Sequence, residues 1–495
     1  MIDNIDSLHA AFNRTTMREQ PFEKRRGIVL TLAMLLLVVM VIGLIAPSLL
    51  FIALAGFVMF LLVVPLLRTA EIDWFAPWSF VLYSGFVGIF LRAIYITFDI
   101  PSASTINSVF LLGESKEFLV WPMVLVVVGI GCLTLGFIAG PVTPRRLKFM
   151  VCRSDLWNER RFWIALSVLL IVAWIGFYYF VQNTVEDLSV DKLSAQRGVA
   201  ADLADYRAYG YLRWMASLSD LVFYMAVARI ITTRRLRIWA AVFAAMALAT
   251  SLLYGAFSSS RGGVAVLFLN ALAIAYYLRG RKVKVVKVVG AVLLMLFLVK
   301  ILTIWRTQGQ FNDGSRDGSN VTEIFDPVIL TVTLLDVSKT AHIVHAIPEN
   351  LDYQWGWTFT TIVLAWIPRD IWPEKPVTNA DTIVGRAVFG ATVYGAGAVP
   401  PGLIAESYLN FSVPGVIIFC FLCGFFLKFV TTNFRYYATN RNMVLLYVTS
   451  FMTTGMWFLG SSLTSVLIGS LFVFIPLSIV LTLITTPPKQ LETAT

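Results

Sequence analysis

Three isolated cations, and a glutamate close to a long apolar stretch, stand in residues 366–415, a segment rich in proline and glycine. The cations are Arg369, Lys375 and Arg386, and Glu406 comes shortly before a long apolar stretch. Arginine binds phosphate oxygens through two parallel hydrogen bonds and keeps its charge when it is desolvated. Burial raises the pKa of a carboxyl group toward a value at which it can take a proton from a hydroxyl group. These residue types therefore predict a site for a phosphate-bearing ligand beside a general base.

Glu406 and two histidines are the candidates for the general base. A second interpretation of Glu406 is an acidic residue that stabilises the start of a helix through the helix dipole. His342 and His345 are three residues apart and share one helix face, so either of them is an alternative base. Two histidines without a third ligand do not predict a metal site. We therefore expect chemistry that needs no metal and no other cofactor.

Further isolated cations stand beside or within apolar stretches. Arg261 follows three serines and precedes Gly262 and Gly263, which allow the backbone to approach a ligand closely. We expect Arg261 and Arg369 to be catalytic together with Glu406. The cations that we expect to bind substrate are Arg92, Arg197, Arg207, Arg306, Lys375 and Arg386. The alternative for each cation is a snorkelling side chain or a surface salt bridge that contributes little energy.

The composition is that of a membrane protein. Hydrophobic residues make up 58% of the chain and charged residues 14%, whereas soluble domains average about 25% charged residues. Apolar stretches of about 20 residues, long enough to cross a bilayer, recur from residue 27 to residue 484. The net charge of +10 is concentrated in short loops, which favours cytoplasmic loops over nucleic-acid binding. Because the first apolar stretch is itself long enough to span, we expect no cleavable signal.

We expect an all-α polytopic fold with twelve transmembrane helices and both termini in the cytoplasm. Five basic clusters fall on one side of the membrane when twelve spans are assumed, and this side is then cytoplasmic. The predicted spans are residues 28–46, 48–67, 74–98, 118–140, 162–181, 212–231, 238–256, 263–279, 288–304, 411–431, 442–460 and 464–484.

This topology includes two large external loops, residues 182–211 and 305–410, in which acidic residues outnumber basic ones. The second loop contains a pattern from Pro327 to Pro348 that predicts an amphipathic helix lying at the membrane surface. The other parts are a cytoplasmic N-terminal tail (1–27), spans one to five (28–181), spans six to nine (212–304), spans ten to twelve (411–484) and a cytoplasmic C-terminal tail (485–495).

The chain resembles the bacterial O-antigen and exopolysaccharide repeat-unit polymerases of the Wzy type. The resemblance covers the predicted topology and three strings: SSSRGG (258–263), IPRDIWPEKP (367–376) and PGLIAESYLNF (401–411). The family pattern has an Arg-Gly at the start of a span, a Pro-Arg…Lys-Pro stretch and a glutamate before a late span. In this sequence the pattern falls on Arg261, Arg369, Lys375 and Glu406.

The resemblance implies a glycosyltransferase of the bacterial inner membrane that acts on oligosaccharides linked to undecaprenyl pyrophosphate. The growing glycan would be transferred to a new lipid-linked unit at the periplasmic face, as in the synthesis of the O-antigen of lipopolysaccharide. The outer arginines would neutralise the departing pyrophosphate, and a chain-length regulator protein could bind. Trp355, Trp357, Trp366 and Trp372 would stack on the sugars, or else form an aromatic belt at the membrane interface.

Two other functions share this topology. An O-antigen ligase would use the same donor with lipid A-core as the acceptor, and the histidines of the second large loop are compatible with it. A flippase for lipid-linked oligosaccharides, or another transporter, would carry charged residues along a path through several spans. The sequence places its charged residues mostly near the outer face, which favours a transferase.

Overall fold

The structure is a computed structural model that describes residues 49–67, 73–98, 116–144, 156–184, 210–233, 237–257, 261–280, 335–367, 371–389, 399–435 and 441–486, together with isolated positions between 27 and 46. In this part of the chain the regular backbone is helical, and no strand is present. Trp157 and Thr485 form an isolated β-bridge. The prediction of an all-α fold is therefore confirmed for the described residues.

The helices follow the apolar stretches of the sequence. In chain order they are α1 (Leu50–Leu67), α2 (Pro77–Gly85), α3 (Arg92–Thr97), α4 (Lys116–Ala139), α5 (Glu159–Thr184), α6 (Gly210–Thr232), α7 (Arg237–Phe257), α8 (Arg261–Leu278), α9 (Val337–Ala346), α10 (Thr361–Leu364), α11 (Ala380–Ala387), α12 (Gly402–Val430), α13 (Arg441–Ser450), α14 (Thr454–Gly460) and α15 (Leu463–Ile484). A π-helical segment, Phe86–Leu91, joins α2 to α3 within one span, and a 3-10 turn, Trp357–Thr360, precedes α10.

Nine helical segments of the described residues are long and apolar enough to cross a bilayer, which identifies a membrane protein. They correspond to predicted spans two to seven and ten to twelve. The apolar part of α8, Gly262–Leu278, coincides with predicted span eight but is shorter than the nine. Predicted span one is described only at isolated positions, and predicted span nine, residues 288–304, lies outside the described residues.

The predicted start of span ten, residue 411, coincides with a kink inside a longer helix. α12 begins at Gly402, well before the expected start at residue 411, and leaves helical geometry at Phe411 and Ser412. Pro414 explains this kink, because its ring lacks an N–H donor and clashes with the preceding turn. Glu406 consequently lies inside a helix and not in the loop that precedes one.

α9 also differs from the surface helix expected over residues 327–348. Residues 327–334 lie outside the described residues, and eight of the ten residues of α9 are buried, including Lys339. The helix packs against α4 and α12. It is therefore enclosed by neighbouring helices, whereas an amphipathic surface helix would leave one face exposed.

Glycines allow α4 and α12 to approach each other closely. A methyl group added at Gly136 would lie 2.0 Å from the carbonyl oxygen of Phe421, and one added at Gly424 would lie 1.9 Å from that of Leu133. Small residues at such crossings let two backbones come into contact, which is a common source of stability between membrane helices. α12, which carries Glu406, is held against α4 in this way.

Gly136→Ala is expected to destabilise the protein by about 1–3 kcal/mol, because the new methyl group overlaps backbone atoms and no change of rotamer relieves the overlap. Thermal unfolding of the detergent-purified variant measures the effect. Gly131→Ala is the matched control, since it lies on the same helix and a methyl group there meets no atom within 4 Å. Equal unfolding temperatures for the two variants would contradict the close packing of α4 on α12.

Side-chain hydrogen bonds gather several helix ends at one level of the bundle. The Trp157 indole donates to Asn442 (2.6 Å), the Asn442 amide donates to Thr485 (3.0 Å), and Arg441 donates to Thr232 (3.0 Å). These residues stand at the ends of spans five, six, eleven and twelve that are predicted to be cytoplasmic. In the predicted topology successive spans run in alternating directions, so these four ends are expected on the same side of the membrane.

Contacts at the two ends of span three identify residues that lie at opposite ends of the bundle. Asp73, just before α2, accepts a hydrogen bond from the Tyr277 hydroxyl (2.9 Å) at the end of α8. Arg92, at the start of α3, forms an ion pair with Asp336, just before α9. Tyr277 and Asp336 therefore lie toward opposite ends of span three.

Candidate functional site

Four charged residues are buried at the end of the bundle that is predicted to be external. At most 3% of the surface of Arg92, Asp336, Lys339 and Glu406 is exposed, and we refer to them as the buried charge cluster. Asp381 lies within electrostatic reach of both Lys339 and Glu406. Because a buried charge is tolerated only with partners, the contacts of each side chain indicate its role.

Asp336 joins α9 to span three. Its carboxylate accepts hydrogen bonds from the backbone N–H groups of Ser338 (2.9 Å) and Lys339 (3.3 Å) and so caps α9. The same carboxylate forms the ion pair with Arg92. Burial favours a higher pKa for Asp336, but the charges and hydrogen bonds of Arg92 and Lys339 outweigh burial and lower this pKa. Asp336 is therefore a firmly held carboxylate at neutral pH.

Lys339 is fully enclosed. Its ammonium group donates a hydrogen bond to the carbonyl oxygen of Gly460, 3.3 Å away at the end of α14. Burial lowers the pKa of Lys339 to about 8, although the nearby carboxylates of Asp336 and Asp381 favour the charged form. This lysine therefore gives up its proton much closer to neutral pH than an ordinary lysine does.

The low pKa of Lys339 predicts a change of stability above neutral pH. Between about pH 8 and the ordinary value of 10.5, the unfolded chain binds one proton more than the folded protein, so the free energy of unfolding rises with pH. Below about pH 8 both states are protonated and this contribution is constant. Unfolding of the wild type and of Lys339→Met across this range measures it. We expect the difference between them to grow in favour of the wild type as pH rises, and a constant difference would contradict the assignment.

The Glu406 carboxylate connects three segments. One oxygen accepts a hydrogen bond from the backbone N–H of Leu463 (2.5 Å), and the other accepts one from the Thr358 hydroxyl (3.2 Å). Leu463 is the first residue of α15, whose N-cap residue Ser462 supplies no side-chain hydrogen bond. The carboxylate therefore sits at the positive end of the α15 dipole. Glu406 thus stabilises the start of another helix, not the start of its own.

Asn410, one turn after Glu406, holds the 3-10 turn against α12. Its amide group donates to the Thr358 hydroxyl (2.8 Å) and accepts from the backbone N–H of Gly356 (2.9 Å). The flanking Trp355 and Trp357 are exposed, the first by 73%. All four tryptophans expected to stack on sugars are exposed, as both stacking and an aromatic belt require: Trp355, Trp357, Trp366 and Trp372.

The structure describes some of the other predicted cations. Lys375 donates to the carbonyl oxygen of Ile367 (3.0 Å), and Arg386 is exposed in the last turn of α11. Arg261 begins α8, but its side chain lies outside the described atoms. A methyl group on the adjacent Gly262 would lie 3.3 Å from the indole of Trp457 in α14, the helix whose last residue binds Lys339. The predicted residues outside the described ranges are Arg197, Arg207, Arg306 and Arg369.

The two histidines contact the start of α4. The His345 ring stacks on Phe118, with 4.0 Å between the ring centroids, and its Nε2 lies 3.1 Å from the Phe118 carbonyl oxygen. The His342 ring lies 5.5 Å from the ring of Phe118 and 5.9 Å from that of Phe389. Within the described ranges, no three His, Cys, Asp or Glu residues form a group that could hold a metal ion.

Sequence reasoning missed three acidic or basic members of this region. Asp336 and Lys339 lie within the pattern from Pro327 to Pro348, and the surface helix predicted there gives them no part in a site. Asp381, which accepts a hydrogen bond from the Ser465 hydroxyl (3.5 Å), was not considered. A usable signal was the aspartate at an N-cap position followed by a lysine in an otherwise apolar pattern. A fourth omission is Asp220, which lies in the middle of α6.

Comparison with protein families matched residues 199–436 to a model described as "Domain of unknown function (DUF8712)". This region contains Asp336, Lys339, Asp381 and Glu406 but not Arg92. No curated protein and no solved structure matches the chain.

Proposed function

We propose that the protein is a glycosyltransferase that polymerises undecaprenyl-pyrophosphate-linked oligosaccharide repeat units at the periplasmic face of a bacterial inner membrane. In this proposal the chain crosses the membrane twelve times, with both termini in the cytoplasm. The observation that carries the proposal is the buried charge cluster, which joins the carboxylate of Glu406 to a turn that bears exposed tryptophans. Such a site combines a base with sugar-stacking surfaces at one end of a membrane bundle.

The contacts of the two cluster carboxylates distinguish their roles. Asp336 is paired with Arg92 and caps α9, so it is a poor proton acceptor. Glu406 accepts two hydrogen bonds and pairs with no cation among the described residues. Glu406 is therefore the candidate base, and Arg92 is a positioning residue that holds Asp336 and α9. This assignment moves Arg92 out of the set proposed to bind substrate.

In the proposed reaction the acceptor hydroxyl oxygen bonds to the anomeric carbon of the growing glycan. The bond from that carbon to the pyrophosphate oxygen breaks, and the lipid pyrophosphate leaves with the bonding electrons. The hydroxyl proton passes to Glu406. The negative charge that develops on the leaving group would be stabilised by four cations: Arg261, Arg369, Lys375 and Arg386. The side chain of Arg386 is exposed and therefore accessible to a ligand. Arg197, Arg207 and Arg306 remain proposed substrate ligands.

Reconstitution tests this proposal. The purified protein is placed in liposomes that contain the lipid-pyrophosphate-linked repeat unit of the producing cells and a chelator, and the products are separated on a gel. We expect a ladder of lipid-linked polymers, formed without nucleotide sugar or metal. Empty liposomes and the Glu406→Gln protein serve as controls.

Two outcomes of the same experiment would replace the proposal. Transfer that occurs only after lipid A-core is added would identify a ligase. Movement of the repeat unit between leaflets, without any transfer, would identify a transporter.

A further inference from the structure

A second polar group lies at mid-membrane depth, away from the buried charge cluster. Asp220 is near the middle of α6, Ser251 lies on α7, and Asn270 is near the middle of α8. Ser219 and Ser251 are joined by a hydrogen bond of 2.8 Å between their hydroxyl groups, and the Ser251 hydroxyl also lies beside the Asp220 carboxylate. Three adjacent helices thus bring oxygen-bearing side chains together at one level.

Two features of this group are unusual inside a membrane protein. Asp220 forms no ion pair with any side chain in the described part of the chain, although an unpaired carboxylate is expensive at this depth. The Asn270 amide donates to the Tyr224 hydroxyl (3.2 Å), one turn after Asp220, but its Oδ1 has no hydrogen-bond partner. Asn270 is only 3% exposed, and buried amides are normally satisfied.

We infer that Asp220, Ser251, Tyr224 and Asn270 form a binding site for a monovalent hard cation, of which Na⁺ is the representative. Carboxylate, hydroxyl and amide oxygens are the ligands that hard cations prefer. A single carboxylate balances one positive charge, whereas a divalent ion would retain an uncompensated charge in a low-dielectric region. Asp220 is not fully enclosed by the described residues.

The site is tested by the effect of Na⁺ on thermal unfolding of the purified protein in detergent. NaCl is compared with choline chloride at equal ionic strength and constant pH. A ligand that binds only the folded state raises the unfolding temperature, so we expect Na⁺ to raise it by about 2–4 °C at saturation. Asp220→Asn should abolish this shift, and Ser251→Ala should raise the half-maximal Na⁺ concentration roughly fivefold or more.

Thr250→Ala is the matched control, because Thr250 is the adjacent buried hydroxyl and donates only to the carbonyl oxygen of Met246 in its own helix (2.9 Å). It should keep the full response to Na⁺. Should Asp220→Asn fail to fold, saturable binding of radioactive ²²Na⁺ to the wild type and its weakening in Ser251→Ala decide the question. Equal shifts in Na⁺ and choline, or a response to pH without a response to Na⁺, would overturn the inference.

Discussion

Replacing Glu406 with glutamine is expected to reduce polymer formation by at least about 100-fold while leaving the amount of membrane-inserted protein unchanged. The glutamine amide oxygen can still accept the hydrogen bond from the Leu463 N–H group, so the start of α15 stays satisfied. An amide cannot take a proton from an acceptor hydroxyl group. The substitution therefore removes the proposed chemistry and keeps the structural contact.

Two further variants separate chemistry from structure at this position. Glu406→Ala leaves the buried Leu463 N–H without a partner, which costs about 1–3 kcal/mol, so it should lower both activity and thermal stability. Glu374→Gln changes an exposed glutamate of the same predicted loop and should change neither. Assays of polymer ladders and of unfolding temperature provide the two readouts. If Glu406→Gln forms as much polymer as the wild type, the role of Glu406 is limited to capping the start of α15.

Breaking the ion pair between Arg92 and Asp336 is expected to have the largest effect on stability. Arg92→Met removes the ion-pair partner of the buried Asp336 carboxylate and leaves Lys339 as the nearby cation, and Asp336→Leu removes the ion-pair partner of the buried Arg92. Losing one member of a buried pair typically costs about 3–5 kcal/mol. Both single variants should therefore unfold at clearly lower temperatures than the wild type, as measured by the loss of the monodisperse peak after heating.

The double variant Arg92→Met/Asp336→Leu should recover part of this stability, since neither member of the pair is then buried without the other, whereas the cap of α9 and the negative charge beside Lys339 stay lost. Its activity separates two roles for Arg92. A stable double variant that still polymerises would assign Arg92 to positioning alone. A stable double variant without activity would return Arg92 to the substrate-binding set. Additive losses from the two single substitutions would contradict the ion pair itself.

The apolar stretches predicted most spans because the thickness of a bilayer fixes the length of a crossing helix, whatever its neighbours are. Where the helices deviate from the predicted spans, the causes are local contacts. The kink of α12 depends on Pro414 and on the packing of Gly415, where an added methyl group would lie 2.3 Å from the carbonyl oxygen of Ser407. Hydropathy alone contains no term for such contacts.

The site was predictable only where one residue carried the signal. Glu406 stood out because it is an acid beside a long apolar stretch. Its hydrogen bond to Leu463 could not be predicted, since Leu463 is an ordinary apolar residue and its backbone supplies the donor. The pairing of Arg92 with Asp336 joins positions about 240 residues apart, and no local pattern indicates such a partner. Predictions for Arg369 and Arg306 concern residues beyond the described ranges.

The contact between α4 and α12 also determines when this protein can assemble during its synthesis. α4 is complete about 260 residues before the first residue of α12 is made. At about 5–20 residues per second, translation takes roughly 13–50 s to cover that distance. α1, which also packs against α4, is already present. The face of α4 that carries Gly136, however, has no α12 to pack against until then. Co-translational insertion therefore adds the candidate catalytic glutamate long after α4, and its hydrogen-bond partner Leu463 in α15 is made later still.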